Sequence, residues 1–178
     1  MLKLVAIVGV IVVVGVVGLL IYAATLPGNF RVARSITIKA SPEKVFPYIN
    51  NLKSFNEWNP FAKEDPGMVM TYFGPESGNG AGYSWNSNGR GGKGSSMITD
   101  SMYPLSVDMR LDMEKPMEGH PKIVFDLQPK GDATEVSWTM SGPYPYVHRV
   151  MGTIFNTDKI IGGTFESGLS TLKAFAEK

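Results

Sequence analysis

Residues Leu4 to Ala24 read LVAIVGVIVVVGVVGLLIYAA, a run of 21 residues without a charge. A helix of this run, rising about 1.5 Å per residue, would be roughly 31 Å long, the thickness of a bilayer's hydrocarbon core. Its many Val and Ile residues are mediocre helix formers in water. In lipid the backbone must satisfy its own hydrogen bonds, which forces the helix whatever the propensity. Tyr22 falls near one end, where an interfacial aromatic is comfortable. A cleaved signal peptide is the rival reading, but its apolar region would span about 7–15 residues and end at small residues. This run is longer, and a cut after Ala24 would place bulky Tyr22 in a small-residue slot. An uncleaved, single-pass membrane anchor over residues 1–26 is therefore expected. Lys3 lies on one side of it and Arg31, Arg34 and Lys39 on the other, so the positive-inside rule does not decide on which side of the membrane the rest of the chain lies. No pair among Gly9, Gly15 and Gly18 is spaced as G-x-x-x-G, and no specific helix dimer is expected.

Thr25-Leu26-Pro27-Gly28-Asn29 stops this helix, and residues 27–178 read as one domain. With Lys3 set aside, its basic and acidic residues balance, from 17 Lys+Arg and 16 Asp+Glu in the whole chain. A neutral domain has no bulk attraction to nucleic acid, and none is expected as a partner. The chain has no cysteine, which excludes a disulfide scaffold, zinc fingers, iron–sulfur ligation and a Cys nucleophile.

Phe30–Ala40 alternates, with Phe30, Val32, Ile36 and Ile38 on one face, and reads as a first strand. Ser41 is a good N-cap, Pro42 suits the first helical position, and Val45, Ile49 and Leu52 make an apolar helical stripe that Asn50-Asn51 weakens. Leu52–Trp58 reads as a second short helix, ended by Asn59-Pro60. Six strands come next, at Met68–Phe73, Ala81–Ser87, Gly94–Met102, Leu105–Glu114, Lys122–Gln128 and Thr134–Ser141. In the fourth of them Leu105, Val107, Met109, Leu111 and Met113 alternate with polar residues, as in an antiparallel strand with one wet face. From Val147 to Ala176 the apolar spacing becomes three and four, that of a long helix, with a kink or a junction of two helices expected at Gly162-Gly163. Antiparallel strands with segregated helices mean an α+β domain.

Signs of catalysis are few. His120 and His148 are the only histidines, neither in a metal-binding spacing, and no metal or cofactor is expected. Asp108, Arg110 and Asp112 share a polar strand face and read as a solvated charge row. No serine sits in G-x-S-x-G. Gly89–Ser95 resembles a phosphate loop superficially, but its Lys93 precedes Gly and it joins strand to strand, so it reads as a hairpin. Arg34 is unusual, because it falls on the apolar row of the first strand, where a charge needs a partner or a route to water. A structural ion pair, or snorkelling near the membrane end, is the favoured reading; fixing an acidic group of a ligand is the other.

Specific segments carry a family resemblance. They are Arg34-Ser35-Ile36-Thr37-Ile38, Ala40 to Phe46, Trp58-Asn59-Pro60, Tyr83-Ser84-Trp85, Val136 to Gly142, and Phe165-Glu166-Ser167-Gly168-Leu169 with Leu172-Lys173. Together with the order of elements they resemble the START-like (SRPBCC) superfamily of helix-grip proteins, and within it the polyketide cyclase/dehydrase-like group, over Phe30 to Lys178. The resemblance implies a curved antiparallel sheet of about seven strands wrapped on the C-terminal helix, two short helices after the first strand, and a deep apolar cavity. It implies no single activity, since fold says little about chemistry.

Trp58, Tyr83, Trp85, Phe125, Trp138 and Phe165 fall on segments that meet between sheet and helix. Nine of the ten methionines lie beyond the anchor, and methionine suits adaptable pockets. A plain packed core is the bland reading of both facts. With the resemblance, the expected ligand pocket comprises Arg34, Trp58, Tyr72, Tyr83, Trp85, Met109, Phe125, Trp138, Met140, Phe155 and Phe165, and small polar groups of Tyr72, Tyr83 and Ser84 orient the ligand. The leading expectation is a protein tethered to the membrane through Leu4 to Ala24 that binds a hydrophobic small molecule or lipid. An enzyme of the cyclase or dehydratase kind, with Glu57 or Tyr83 assisting proton transfer, is the alternative. An adaptor with an exposed apolar patch is the third.

Overall fold

The alternation read in the strands becomes one face of a single sheet. In a computed structural model, which describes residues 2–178 apart from Glu64, Pro66, Arg90 and Phe155, the elements run α1 (Leu2–Thr25), β1 (Asn29–Ile38), α2 (Pro42–Val45), α3 (Pro47–Asn50), α4 (Leu52–Trp58), α5 (Pro60–Lys63), β2 (Val69–Phe73), β3 (Gly82–Asn86), β4 (Lys93–Met102), β5 (Ser106–Lys115), β6 (Lys122–Lys130), β7 (Ala133–Pro143), α6 (Tyr146–Ile154) and α7 (Thr157–Ala176). The seven strands are antiparallel neighbours in the order β1-β7-β6-β5-β4-β3-β2. Val107 and Met109, then Ile123, Phe125 and Leu127, then Val136, Trp138 and Met140 are buried on the concave face. Register shifts at Lys93/Gly94 and Ile98/Asp100 bend β4 and add to that curvature. This is the expected α+β helix-grip architecture, and strand ends fall within two residues of those read from the sequence.

The short helices differ in detail. The apolar stripe from Val45 to Leu52 is divided among α2, α3 and α4, because Pro47 occupies the first turn of α3 and Asn51 leaves the helical conformation. The Asn51 side chain accepts from the Lys53 and Ser54 amides at 3.0 and 3.2 Å, so it caps α4. Ser41 precedes α2 without a side-chain capping bond. Pro60 opens a further helix, α5, whose Phe61 amide is held by the Asn59 side chain at 3.2 Å.

The two helices do not meet at Gly162-Gly163, and α7 runs through both glycines. The junction lies earlier, where the Asn156 side chain accepts from the Lys159 amide at 2.9 Å and starts α7. Gly162 serves side-chain packing instead. Asp158, Gly162 and Glu166 are spaced four apart on one face of α7, and the Arg34 guanidinium of β1 lies along them. Its Nη2 is 2.9 Å from Asp158 and its Nε 2.7 Å from Glu166, and a Cβ on Gly162 would sit 2.0 Å from Nη2. One turn and a half further on, Gly168 lets α7 press onto Trp138, whose ring stacks on Phe165 at 4.1 Å with planes 7° apart.

At Gly168 a Cβ would meet Pro60 Cδ at 2.8 Å and Trp138 Cζ3 at 2.9 Å, both rigid groups. Overpacking costs about 1–3 kcal/mol, against the roughly 0.5–1 kcal/mol that alanine contributes to a helix interior. Gly168→Ala is therefore expected to lower stability by about 1 kcal/mol and Tm by roughly 2–4 °C in thermal unfolding of the full chain.

Candidate ligand pocket

The concave face is filled unevenly. One end of the sheet gathers the start of β1, the end of β7, the starts of β6 and β4, the end of β5, the end of β3 and the start of β2, as their pairings require. This is also the end at which α1 joins β1. At the opposite end Phe46 packs edge-on to Tyr103, and the Ser101 hydroxyl donates to the Asn50 side chain at 2.7 Å, closing the core. At the α1 end a cavity of about 330 Å³ remains. That is within the range of about 300–1,000 Å³ common for ligand sites.

Its sheet wall comes from Met70, Tyr83, Trp85, Ser96, Leu111, Met113, Ile123, Trp138 and Met140, and its helical wall from Phe55, Asn59, Phe61, Ala62 and Ile161. Tyr83, Trp85, Trp138 and Met140 of the expected pocket therefore line one cavity. Trp58, Met109, Phe125 and Phe165 lie behind that wall, fully buried. Trp58 donates its indole N–H to the Tyr48 carbonyl at 2.8 Å and stands edge-on to Trp138 at 5.7 Å, so these rings form the floor that holds Trp138 in place. Tyr72 shares the concave face with Tyr83, ring centroids 6.0 Å apart, but sits at the open sheet edge, where its oxygen accepts from Asn56 at 3.2 Å. Phe155 lies outside the described residues. Glu57 is exposed, on the outer side of α4.

Arg34 also stands outside the cavity. Its donors go to the Glu166 and Asp158 carboxylates and to the Ala33 and Asp158 carbonyls, five bonds of 2.7–3.2 Å. A guanidinium has five N–H donors, so none is left over for a ligand. The hydrogen bonds to Asp158 and then Glu166 raise the guanidinium's pKa, and the bond from Arg34 holds the Asp158 carboxyl below its ordinary range. The polar row reads as expected on the outside: Arg110 pairs with Asp112 at 2.8 Å, Lys122 pairs with Asp108, and His120 meets Asp112 at 2.8 Å.

Two hydroxyls give the apolar cavity a polar spot. Tyr83 and Ser96 are directly paired across β3 and β4 and both line the cavity. Neither hydroxyl forms a hydrogen bond among the described residues. Burial, aided by the neighbouring Tyr72, pushes the Tyr83 phenol above its ordinary pKa, so it stays a protonated donor. The Trp138 indole N–H is likewise buried without a partner among the described residues. Sequence reasoning missed Ser96, because a serine in an alternating strand reads the same whether it faces a cavity or packs on a neighbour. Ser84, its expected counterpart, is on the other face of β3.

Beside the cavity lies a latch built on Asp65. This carboxylate accepts from the Ser87 hydroxyl, from the Gly91 amide at 3.3 Å and from the Gly67 amide at 3.2 Å. Trp85 adds an indole bond to the Gly91 carbonyl at 2.9 Å. The β3–β4 loop is thereby tied to the segment leading into β2, and Asp65, Met68 and Gly91 all border the cavity. The Ser87 bond first, then that of Gly91, holds the Asp65 carboxyl below its ordinary value of 3.8.

A family model described as polyketide cyclase / dehydrase and lipid transport matches residues 29–177. No curated protein matches the sequence. Among solved structures, protein CV1439 from Chromobacterium violaceum is similar with a TM-score of 0.58 at 15% identity, covering 86% of this chain and 99% of that one. Ara h 8.0201 is similar with a TM-score of 0.57 at 10% identity over 84% and 98%. The Aha1 dimer from Colwellia psychrerythraea gives 0.54 at 18% over 81% and 96%. At these identities the likeness is one of fold alone.

Because the folded pKa of Asp65 is depressed, the latch is complete above the ordinary carboxylate value and opens as pH falls through the lower folded value. Asp65→Ala is expected to open it at neutral pH. Amide hydrogen exchange at Gly67 and Gly91 should then rise several-fold, while the amides of β6 and β7 keep their protection.

Proposed function

The chain belongs to the polyketide cyclase / dehydrase and lipid transport family, and on that footing we propose that it is a membrane-tethered protein that holds a hydrophobic small molecule or lipid in the cavity at the α1 end of its sheet. The observation that carries this reading is the cavity itself, walled by methionine and aromatic side chains with one polar spot at Tyr83 and Ser96. An apolar body would fill the space, and an oxygen of the ligand would accept from the Tyr83 hydroxyl. Methionine side chains at positions 68, 70, 113 and 140 let the wall adapt to the guest.

The tether is α1, whose Ala6–Thr25 stretch has a mean hydropathy of 2.9 and is almost wholly exposed. Such a surface is unfavourable in water and at home in lipid. Residues 1–26 then form the anchor and residues 27–178 the binding domain. The anchor leaves from the same end of the sheet at which the cavity lies. A short path from bilayer to cavity suits a ligand that water barely dissolves.

A second reading, ring closure or dehydration of a bound substrate, rests on Tyr83 alone. Its protonated phenol, in an apolar site, is placed to donate to a carbonyl oxygen of the guest. Among the described residues Asp65 is the other titratable group at the cavity, and its lowered pKa makes it a weak base. If turnover of a polyketide-like substrate is found, Tyr83→Phe should stop it while leaving apolar binding within a few-fold of the parent.

The binding reading is tested on the full chain purified from cells in mild detergent. Native mass spectrometry is expected to show a co-purified apolar ligand, and an environment-sensitive apolar dye should displace it. Leu111→Trp, which fills the cavity, should weaken dye binding at least tenfold with little change in Tm. A parent protein that is always empty and takes up no dye overturns the reading.

A further inference from the structure

The helix α6 has an apolar side that the domain does not use. Its His148 ring stacks near Tyr144 with centroids 6.4 Å apart, and Gly152 backs onto the Tyr144 hydroxyl. That side faces inward. Arg149 turns toward α1 and donates to the carbonyls of Leu26 at 2.9 Å and Ala24 at 3.3 Å, so it caps the open end of the anchor helix. On the remaining side, Tyr146, Val147 and Met151 are 41%, 66% and 43% exposed. Val147 and Met151 are four residues apart and share a face.

The position of this face relative to α1 says what covers it. The Tyr146 hydroxyl donates to the Leu20 carbonyl at 2.9 Å. Leu20 lies four residues before Ala24, the end of the apolar run, which is roughly 6 Å along the helix axis. The start of α6 therefore lies beside the last turn of the anchor, at a depth within the roughly 5–10 Å over which interfacial helices sink into a bilayer. A tyrosine ring with its hydroxyl bonded at that level is at home in such a layer.

We propose that α6 is a second membrane contact: a short interfacial helix that lays Val147 and Met151 into the lipid surface beside the anchor and seats the domain with its cavity end toward the bilayer. This rests on α1 spanning a membrane. The exposed face is made of Val147 and Met151, so the contact is apolar, and neutral phosphatidylcholine is enough to support it.

The absence of cysteine permits a clean test. Single cysteines placed as Val13→Cys, Val147→Cys, Met151→Cys and Lys53→Cys are labelled with an environment-sensitive fluorophore in the full chain, reconstituted in phosphatidylcholine vesicles. Lys53 is exposed on α4, at the far end of the sheet, and serves as the water control. Labels at 147 and 151 are expected to be quenched at least twofold more than the label at 53 by lipids carrying a headgroup-level nitroxide. They should also be at least fivefold less accessible to aqueous iodide. A label at 13 reached by deep acyl-chain nitroxides, with 147 and 151 as wet as 53, overturns the interfacial helix and leaves the anchor standing. Labels at 147 and 151 shielded from both lipid and water quenchers mean a protein covers the face, and this also overturns it. A wet label at 13 overturns the anchor and the interfacial helix together.

Discussion

One helix has to cover seven strands. At about 4.8 Å between strands the sheet is roughly 29 Å wide, while a helix is only about 10 Å across. The 20 residues of α7 lie along β1 and β7, and leave most of the concave face to be closed by something else. Curvature from the β4 bulges brings the far strands inward. Of the short helices between β1 and β2, α2 and α3 close the end remote from α1, where the Asn50 side chain and the Phe46 ring meet β4 and the turn after it. The space left between α4, α5 and α7 on one side and the sheet on the other becomes the cavity. The hollow is thus a consequence of covering geometry, and its place at one end comes from where the short helices sit.

The seam between α7 and the sheet is held at two points of different character. At Gly168 the helix comes down onto Trp138, and the Trp138–Phe165 stack, backed by Trp58 and Phe125, makes a rigid aromatic floor. At Gly162 the helix instead admits a guanidinium, and Arg34 joins two carboxylates on its outer flank. These solvent-exposed ion pairs contribute little to stability. Their use is directional: they set where along β1 the start of α7 lies, and with it the Ile161 wall of the cavity. A protein interior packed to crystal-like density resists deformation, so the aromatic floor stays put while the methionine wall and the Asp65-tied loop supply what freedom the site has.

The same end of the sheet carries the exit of α1, the start of α6 and the open part of the core. In β1 the strand begins at Asn29, a few residues after α1, and its partner β7 ends at Pro143, a few residues before α6. Antiparallel pairing alone places these two chain ends together. The family to which the chain belongs embraces lipid transport as well as ring chemistry, and the cavity lies at this same end.

Much was legible from local pattern. The uncharged stretch in α1, the faces of β5, β6 and β7, the helix at Leu52–Trp58 and the aromatic residues of the interior all come from periodicity, because each depends on residues a few positions apart. The helix junction expected at Gly162-Gly163 lies elsewhere for a reason local reading cannot see: Gly162 answers to Arg34 on another element, more than a hundred residues away in the chain. The same holds for Ser96 and Trp58, one at the cavity wall and the other behind it, though both are simply buried. Alternation states which face turns from water, while the tertiary packing alone decides whether that face meets another side chain or an empty space, since that depends on the distance between elements that only the closed sheet brings together.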